Sequence, residues 1–389
     1  MKTAAIVCEY NPLHLGHVKQ YAMLRQELGE DSCIVCLMSG NFVQRGEPAI
    51  FDAATRAKAA VLSGANLVLE LPISACLSSA EGFAMGAVDV LQRLGGVDVL
   101  CFGCESGDGN KIMSTAKLLR SPAFSEALRT GLSDGDSFAA LRQRTLEALG
   151  GDGSILRSPN DILAVEYCKA LLAHDSSITP LAIERQGSYH DLVPDPDNPS
   201  ATALRAQMPQ GDWLSYVPRE AGNLFSNAPI HRMAWGERAV LARLRAMGED
   251  EFEALPYGSE GLWRKLMTEV RQAATVDALI DGVKSRRYAR SRIARMVMCA
   301  FLGISEAALQ APAPYVRMLA FDQTGRKFLR SAADRGGMPL LHPGEAVRGE
   351  YAALERRANA LYPLFLSPEC RAEIPKGERV FCKPEPEKR

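Results

Sequence analysis

The chain has 389 residues, with 45 Lys and Arg against 46 Asp and Glu, so its formal net charge is −1. That balance excludes a chain that gathers polyanions by overall charge, and any nucleic-acid surface must be a local patch. The ten cysteines, many in apolar runs (Cys8, Cys36, Cys76, Cys101, Cys299), read as small buried hydrophobes of a reducing compartment and not as a disulfide framework. No apolar run reaches about 18 residues and MKTAAIVCEY carries no secretory h-region, so a cytoplasmic protein without a membrane partner is expected.

The first element is a strand over Ala4–Cys8, an apolar run with β-branched residues. Glu9–Leu13 is polar and broken by Asn11-Pro12, and from His14 the pattern turns helical. His14 and His17 therefore lie where a strand hands over to a helix, which is where α/β folds place anionic ligands. At a separation of three they point to nearly the same side of the first turn, and Gly16 between them opens the backbone. Asn-Pro-x-His-x-Gly-His has the form of the HIGH signature of nucleotidyltransferases and class I aminoacyl-tRNA synthetases. A zinc pair would more commonly be spaced i and i+4, with a third ligand elsewhere.

A second strand is expected over Ser32–Met38, then a loop, FVQRGEPAIFD, that carries Gln44 and Arg45. Asp52–Ser63 reads as a helix, Ala65–Leu71 as a third strand, Ser79–Leu94 as a helix and Val97–Phe102 as a fourth strand running into Gly103. This alternation of near-continuous apolar strands with helices predicts a parallel, doubly wound sheet. Cys33–Cys36 and Cys101–Cys104 are CxxC pairs, but each overlaps a strand, whereas structural zinc takes such pairs from a knuckle turn; no metal ligands are assigned. Lys111–Gly150 is helical and charged. In LRSPNDILAVEY, Asn160 or Ser158 would cap an amphipathic helix, and Arg185 ends the short strand LAIER, followed by a polar loop, Gln186–Asp191. SATALR, with Ser200, Thr202 and Arg205, has the form of the second nucleotidyltransferase signature: hydroxyls and N–H groups at a helix start, and a guanidinium one turn on.

From about Ser226 helical patterns dominate, over Glu237–Met247, Glu260–Ala273, Ser291–Leu302 and Ala352–Leu361. The expected organisation is a Rossmann-like domain over 1–225, a mostly helical domain over 226–375 and a loosely held tail over 376–389. The segment 283–298 is strongly basic, with Lys284, Arg286, Arg287, Arg290, Arg292 and Arg295 around Tyr288 and no acid within it. Read as one helical face whose arginines have no acidic partner within the run at helical spacing, it suits an RNA backbone. Residues 315–329 fit either a small β element or a helix end.

Taken together, IVCEYNPLHLGH, SGNFVQRGEPAIFD, FGCE, SPNDILAVEY, SATALR and RRYARSRIAR resemble the bacterial tRNA(Met) cytidine acetate ligases, in one order across residues 6–295. Leu13 stands where such enzymes carry Phe. The resemblance implies an enzyme that activates acetate with ATP as acetyl-adenylate and acetylates the wobble cytidine of elongator tRNA(Met), without coenzyme A. ATP would then lie along Ile6, Val7, Cys8, Glu9 and Tyr10 at the strand end, Asn11, Pro12 and Leu13 in the turn, and His14, Leu15, Gly16, His17, Val18 and Lys19 in the helix start. Gly103, Asn160 and Arg185 would be further ATP contacts. The bottom-up chemistry assigns His14 and His17 to the phosphate oxygens, Arg205 with Arg185 to the β/γ end and Mg²⁺ to bridging it, and Gln44 or Arg45 to acetate or the target base. Lys284, Arg286, Arg287 and Arg290 would meet tRNA. The rival reading is a small-molecule adenylyltransferase of the pantetheine-phosphate or nicotinamide-mononucleotide kind, which gives the basic region no task.

Overall fold

A computed structural model describes residues 1–131, 138–185, 195, 199–208, 211–335, 337–373 and 380–384. Its strands are β1 (Thr3–Cys8), β2 (Cys33–Ser39), a small hairpin of β3 (Phe42–Val43) and β4 (Glu47–Pro48), β5 (Leu67–Leu71), β6 (Val99–Cys104), β7 (Thr179–Glu184), β8 (Val316–Phe321), β9 (Leu340–Leu341) and β10 (Phe381–Cys382). The main sheet runs β10-β8-β5-β2-β1-β6-β7, with β9 also paired to β8. All of its pairings are parallel except β5 with β8.

Strict side-chain alternation explains why these strands read as continuous apolar runs. On β2, Cys33, Val35 and Leu37 join the core on one face, while Ile34, Cys36 and Met38 join the core on the other. The helices Ala80–Leu94 and Pro159–Ala173 cover the first face; Leu15–Leu28 and Ala53–Leu62 cover the second. Because the period is two, the cysteines of each CxxC pair fall on opposite faces, Cys33 against Cys36 and Cys101 against Cys104. All four are buried free thiols. From β1 the chain winds outward through β2 and β5, then crosses back to β6 on the far side of β1. The carboxyl ends of β1 and β6 therefore flank a topological switch point, the crevice where open α/β sheets take their ligands.

Between residues 226 and 310 the structure is helical. Met233–Arg245, Glu249–Glu253, Leu262–Glu269, Val276–Val283 and Arg290–Leu302 close around a third core that also takes in Phe42 and Leu77 from the first half of the chain. The expected boundaries do not follow the path of the sheet, however. Tyr315–Leu329 resolves into β8 and the helix Gln323–Arg335, and β8 pairs antiparallel with β5. Asn66 fixes this return: its side chain accepts from the Ile34 N–H at 2.8 Å and donates to Asp322 at 2.8 Å. Within the stretch expected as a tail, Phe381 and Cys382 pair with Ala320 and Phe321. The loop 186–190, with Asp191, lies outside the described residues. No helix among them is long and apolar enough to cross a membrane.

Candidate active site

The junction after β1 is built by capping. His14 is the N-cap of the helix Leu15–Leu28, with extended backbone, and its N–H donates to Nδ1 of His17 at 3.2 Å. The two imidazoles stack with centroids 3.7 Å apart, and Tyr10 meets His17 edge-on at 4.8 Å. A neutral His17 that accepts at Nδ1 carries its proton on Nε2, which leaves that N–H as its donor. Gly16 keeps the space beside the histidine open, since a Cβ there would stand 3.1 Å from Cε1 and Nδ1 of His14 and press on its ring. His14 is 3% exposed, and its Nδ1 has no partner among the described residues. Burial first, then the positive charges of Arg185 and Arg205, hold its pKa down to about 3. Burial and the neighbouring His14 likewise push His17 well down. Both imidazoles are thus neutral donors at physiological pH, in a site whose charge comes from arginines.

Those arginines arrive from distant segments. Ser200 caps the short helix Ala201–Gln207, accepting from the Ala203 N–H at 3.1 Å, and sends Arg205 back to the β1 loop. There Arg205 donates to the Asn11 carbonyl at 2.6 Å and to the Thr202 hydroxyl at 3.3 Å. Arg185, at the end of β7, donates to Asn160 Oδ1 at 3.3 Å. Gly103 makes room for it, because a Cβ would lie 2.8 Å from Cγ and Cδ of Arg185. Asn160 is not a cap but the second residue of the helix Pro159–Ala173, and its Nδ2 donates to Glu105 at 2.7 Å. Gly103, Asn160 and Arg185, well separated in the chain, form one edge of the crevice.

Within the opening stretch the side chains divide. Ile6, Cys8, Tyr10 and Leu13 belong to the core, so they can meet a ligand only through backbone. Val7 packs on the opposite face, Leu15 and Val18 are half-buried and Lys19 is exposed. Glu9 accepts from the Gln44 N–H at 2.7 Å; burial pushes its carboxyl pKa up, opposed by the Gln44 N–H and by Arg45, Arg205 and Arg56. The Asn11–Pro12 peptide is cis. Gln44 and Arg45 occupy the turn between β3 and β4. Gln44 is held at its N–H by Glu9, at its carbonyl by Arg295 (3.3 Å) and at its amide by Ser78 (3.3 Å). Gly46 has φ +77°, and a Cβ there would stand 2.5 Å from the Ala294 carbonyl carbon, so the turn rests on the helix Arg290–Leu302.

Arg56 was missed in the sequence. It is 0% exposed and donates to the carbonyls of Phe51 (2.8 Å), Glu9 (2.5 Å) and Ser39 (3.1 Å), and also to that of Gly40. It ties the loops after β1 and β2 together beneath the site. In DAATRAKAAVLS it reads as a surface arginine, and only a window-wide apolar bias of that helix hints otherwise.

The basic segment differs from expectation. The helix Val276–Val283 stops before Lys284, and the next begins at Arg290, so Lys284, Arg286 and Arg287 stand on a connection and not on a helical face. Acidic partners reach the arginines from outside the segment. Arg287 pairs with Glu260 at 2.7 Å, and Arg290 pairs with both Asp277 and Asp281. Arg292 donates to the Tyr257 carbonyl and the Ser259 hydroxyl, and Arg295 is buried. Lys284 and Arg286 remain exposed.

A mostly parallel sheet with stacked histidines at a helix start and cations converging on its switch point defines a nucleotidyltransferase-type α/β enzyme. The HIGH Nucleotidyl Transferase family model matches residues 1–375. A tRNA(Met) cytidine acetate ligase of Clostridium novyi (strain NT) is 36% identical over 358 residues, covering 87% of this chain and 89% of the relative. One of Clostridium acetobutylicum is 33% identical over 386 residues, covering 94% and 96%. The apo crystal structure of Thermotoga maritima TmcAL superposes with a TM-score of 0.90 at 27% identity, covering 98% of this chain and 99% of that one. Its form bound with alpha-thio ATP gives a TM-score of 0.84 at 28% identity, covering 94% and 95%. The chain belongs to the HIGH nucleotidyl transferase family, in its tRNA(Met) cytidine acetate ligase branch.

Proposed function

We propose that this protein is an ATP-dependent ligase that joins acetate to the wobble cytidine of elongator tRNA(Met). One carboxylate oxygen of acetate attacks the α-phosphorus of ATP and pyrophosphate leaves, giving acetyl-adenylate. The cytidine N4 amine then attacks the acetyl carbonyl carbon, AMP leaves with the bonding pair, and the amine loses a proton, giving N4-acetylcytidine. Coenzyme A has no part in either step. The carrying observation is the convergence of His14, His17, Arg185 and Arg205 on the switch point. In-line attack on phosphorus needs positioning and neutralisation more than covalent help. Two neutral imidazoles supply fixed hydrogen-bond donors, and the two guanidiniums supply the charge.

ATP lies along residues 6–19 with Gly103, Asn160 and Arg185 at its other side, and Ser200, Thr202 and Arg205 take the β/γ end. Mg²⁺ fits as part of the nucleotide substrate: among the described residues no group of three or more His, Cys, Asp or Glu could hold a metal, and the donors facing the phosphates are imidazole and guanidinium. The Gln44–Arg45 turn, held between Glu9 and Arg295, is the wall on which acetate and the cytidine meet. Lys284, Arg286, Arg287 and Arg290 take the tRNA backbone. The test is incubation with labelled acetate, ATP and total tRNA. Label enters RNA in an ATP-dependent, coenzyme A-independent way if the reading is right; RNA without label sinks it.

A further inference from the structure

We propose that Glu105, together with Asp161, is a positioning residue for the nucleotide: the two carboxylates clamp the end of β6 to the start of the helix Pro159–Ala173 and so set the directions in which Asn160 and Arg185 present their N–H groups. This rests on the ATP-dependent reading above and adds two residues to it.

The clamp is reciprocal. Glu105 accepts from Asn160 Nδ2 at 2.7 Å and from the Asn160 and Asp161 N–H groups at 3.4 and 2.9 Å. Asp161, 3% exposed, accepts in return from the Glu105 and Ser106 N–H groups at 2.9 and 3.1 Å and from the Ser106 hydroxyl at 3.1 Å. The helix needs this outside carboxylate because its own N-cap, Ser158, makes no side-chain cap bond. An Asn amide can face either way, and the carboxylate decides: the NH₂ turns to Glu105, which leaves Oδ1 to accept from Arg185. Glu105 is also the acid whose charge Arg185 feels. With one Asn160 N–H spent on Glu105, its second N–H and the remaining Arg185 donors are, among the described residues, left for acceptor atoms of the nucleotide. Of the groups the clamp aligns, only Arg185 reaches His14 and His17, and it does so through its charge. Opening the clamp turns the Asn160 amide and leaves that charge in place, so most of what is lost is binding shared by ground and transition states, which raises KM far more than it lowers kcat.

The test is E105Q, whose amide sets N–H against N–H at the helix start. Binding of a non-hydrolysable ATP analogue is measured by calorimetry without acetate or tRNA, beside KM and kcat of acetate-dependent pyrophosphate exchange. The expected result is Kd and KM for the nucleotide both weakened about tenfold, with kcat within about twofold of wild type. Unchanged Kd and KM, or a fall in kcat at unchanged KM, overturns the proposal. Should E105Q fail to fold, D161N opens the same clamp from the other side with the same expectation. Loss of folding in both assigns the clamp to stability alone and overturns the proposal. A wild type that binds the analogue but shows no acetate-dependent exchange overturns the ligase reading instead, and the clamp is then judged on Kd alone.

Discussion

At the junction after β1, His14 is almost wholly buried, its ring is stacked on His17, and the loops on either side are tied by Arg56 to four carbonyls. In the segment 284–292, the cations are exposed or half-buried, and Arg287 and Arg290 already hold acids. Both regions are assigned to anionic substrates. The junction, as proposed, would take a small one, whose reacting atom must be placed within a fraction of an ångström, which suits donors that are desolvated before binding. The basic segment, as proposed, would take a long polyanion through exposed side chains, where neutralisation counts for more than aim and pairing with acids costs little to exchange.

The comparison breaks most sharply if the junction is not rate-determining. His14→Ala or His17→Ala should lower acetate-dependent pyrophosphate exchange roughly 10²- to 10³-fold, the effect of removing one pre-aimed donor. The thermal midpoint should stay close to wild type. Near-normal exchange in either variant would end the phosphate role. Arg56→Met tests the rigidity beneath it. Four buried carbonyls lose their donor, so denaturant titration should show a loss of roughly 2–4 kcal/mol, with Arg56→Lys recovering only part, because an ammonium lacks the planar fork. A variant as stable as wild type would mean that the two loops hold themselves.

The same contrast governs what could be read in the chain. The junction was legible because strand, turn and helix follow one another within seventeen residues and each leaves a local signature. So were the helix starts at Asp52, Ser79 and Ser200, each of which caps its helix, whereas the cap expected from Asn160 or Ser158 is supplied by Glu105 instead. The pairing of Arg290 was not, since Asp281 and Asp277 stand nine and thirteen residues upstream and Glu260, the partner of Arg287, twenty-seven. A search at helical spacing inside the segment cannot meet them; the turn of the chain after Val283 brings them in. Glu105 and Asp161 escape for the same reason, 56 residues apart until the helix start docks on β6. The return of Val316–Phe321 to the sheet is also non-local, and its five apolar residues around Arg317 carry no label for the strand they will pair with.

Burial of His14 has a consequence for pH that exposed arginines cannot share. Its pKa is about 3 in the folded chain, against roughly 6.5 unfolded. Between those values the unfolded chain takes a proton that the folded one refuses. The stability that His14 contributes is therefore complete above pH ~6.5, declines as pH falls and levels off below about 3. At pH 5.5 the loss should be about 1.4 kcal/mol for this one group. Denaturation of His14→Gln across that range should show a shallower acid limb than wild type. Parallel limbs would mean that the ring is not desolvated in solution.

The smallest effect probes the other region. If Asp277 and Asp281 occupy Arg290 in the free protein, tRNA must displace them, and Asp277→Asn should tighten binding about two- to threefold, the range of an exposed ion pair. Reversing Arg286 and Arg287 to Glu should act in the opposite direction, weakening tRNA about tenfold and flattening the salt dependence, because two phosphate contacts are lost. Pyrophosphate exchange should be untouched in both, since neither reaches the junction. The sign for Asp277→Asn is the informative part. Tighter binding makes the acids competitors that hold the basic connection shaped but available; weaker binding makes them the scaffold that aims Arg290 at the RNA, and then the two regions work by the same principle of pre-arranged donors.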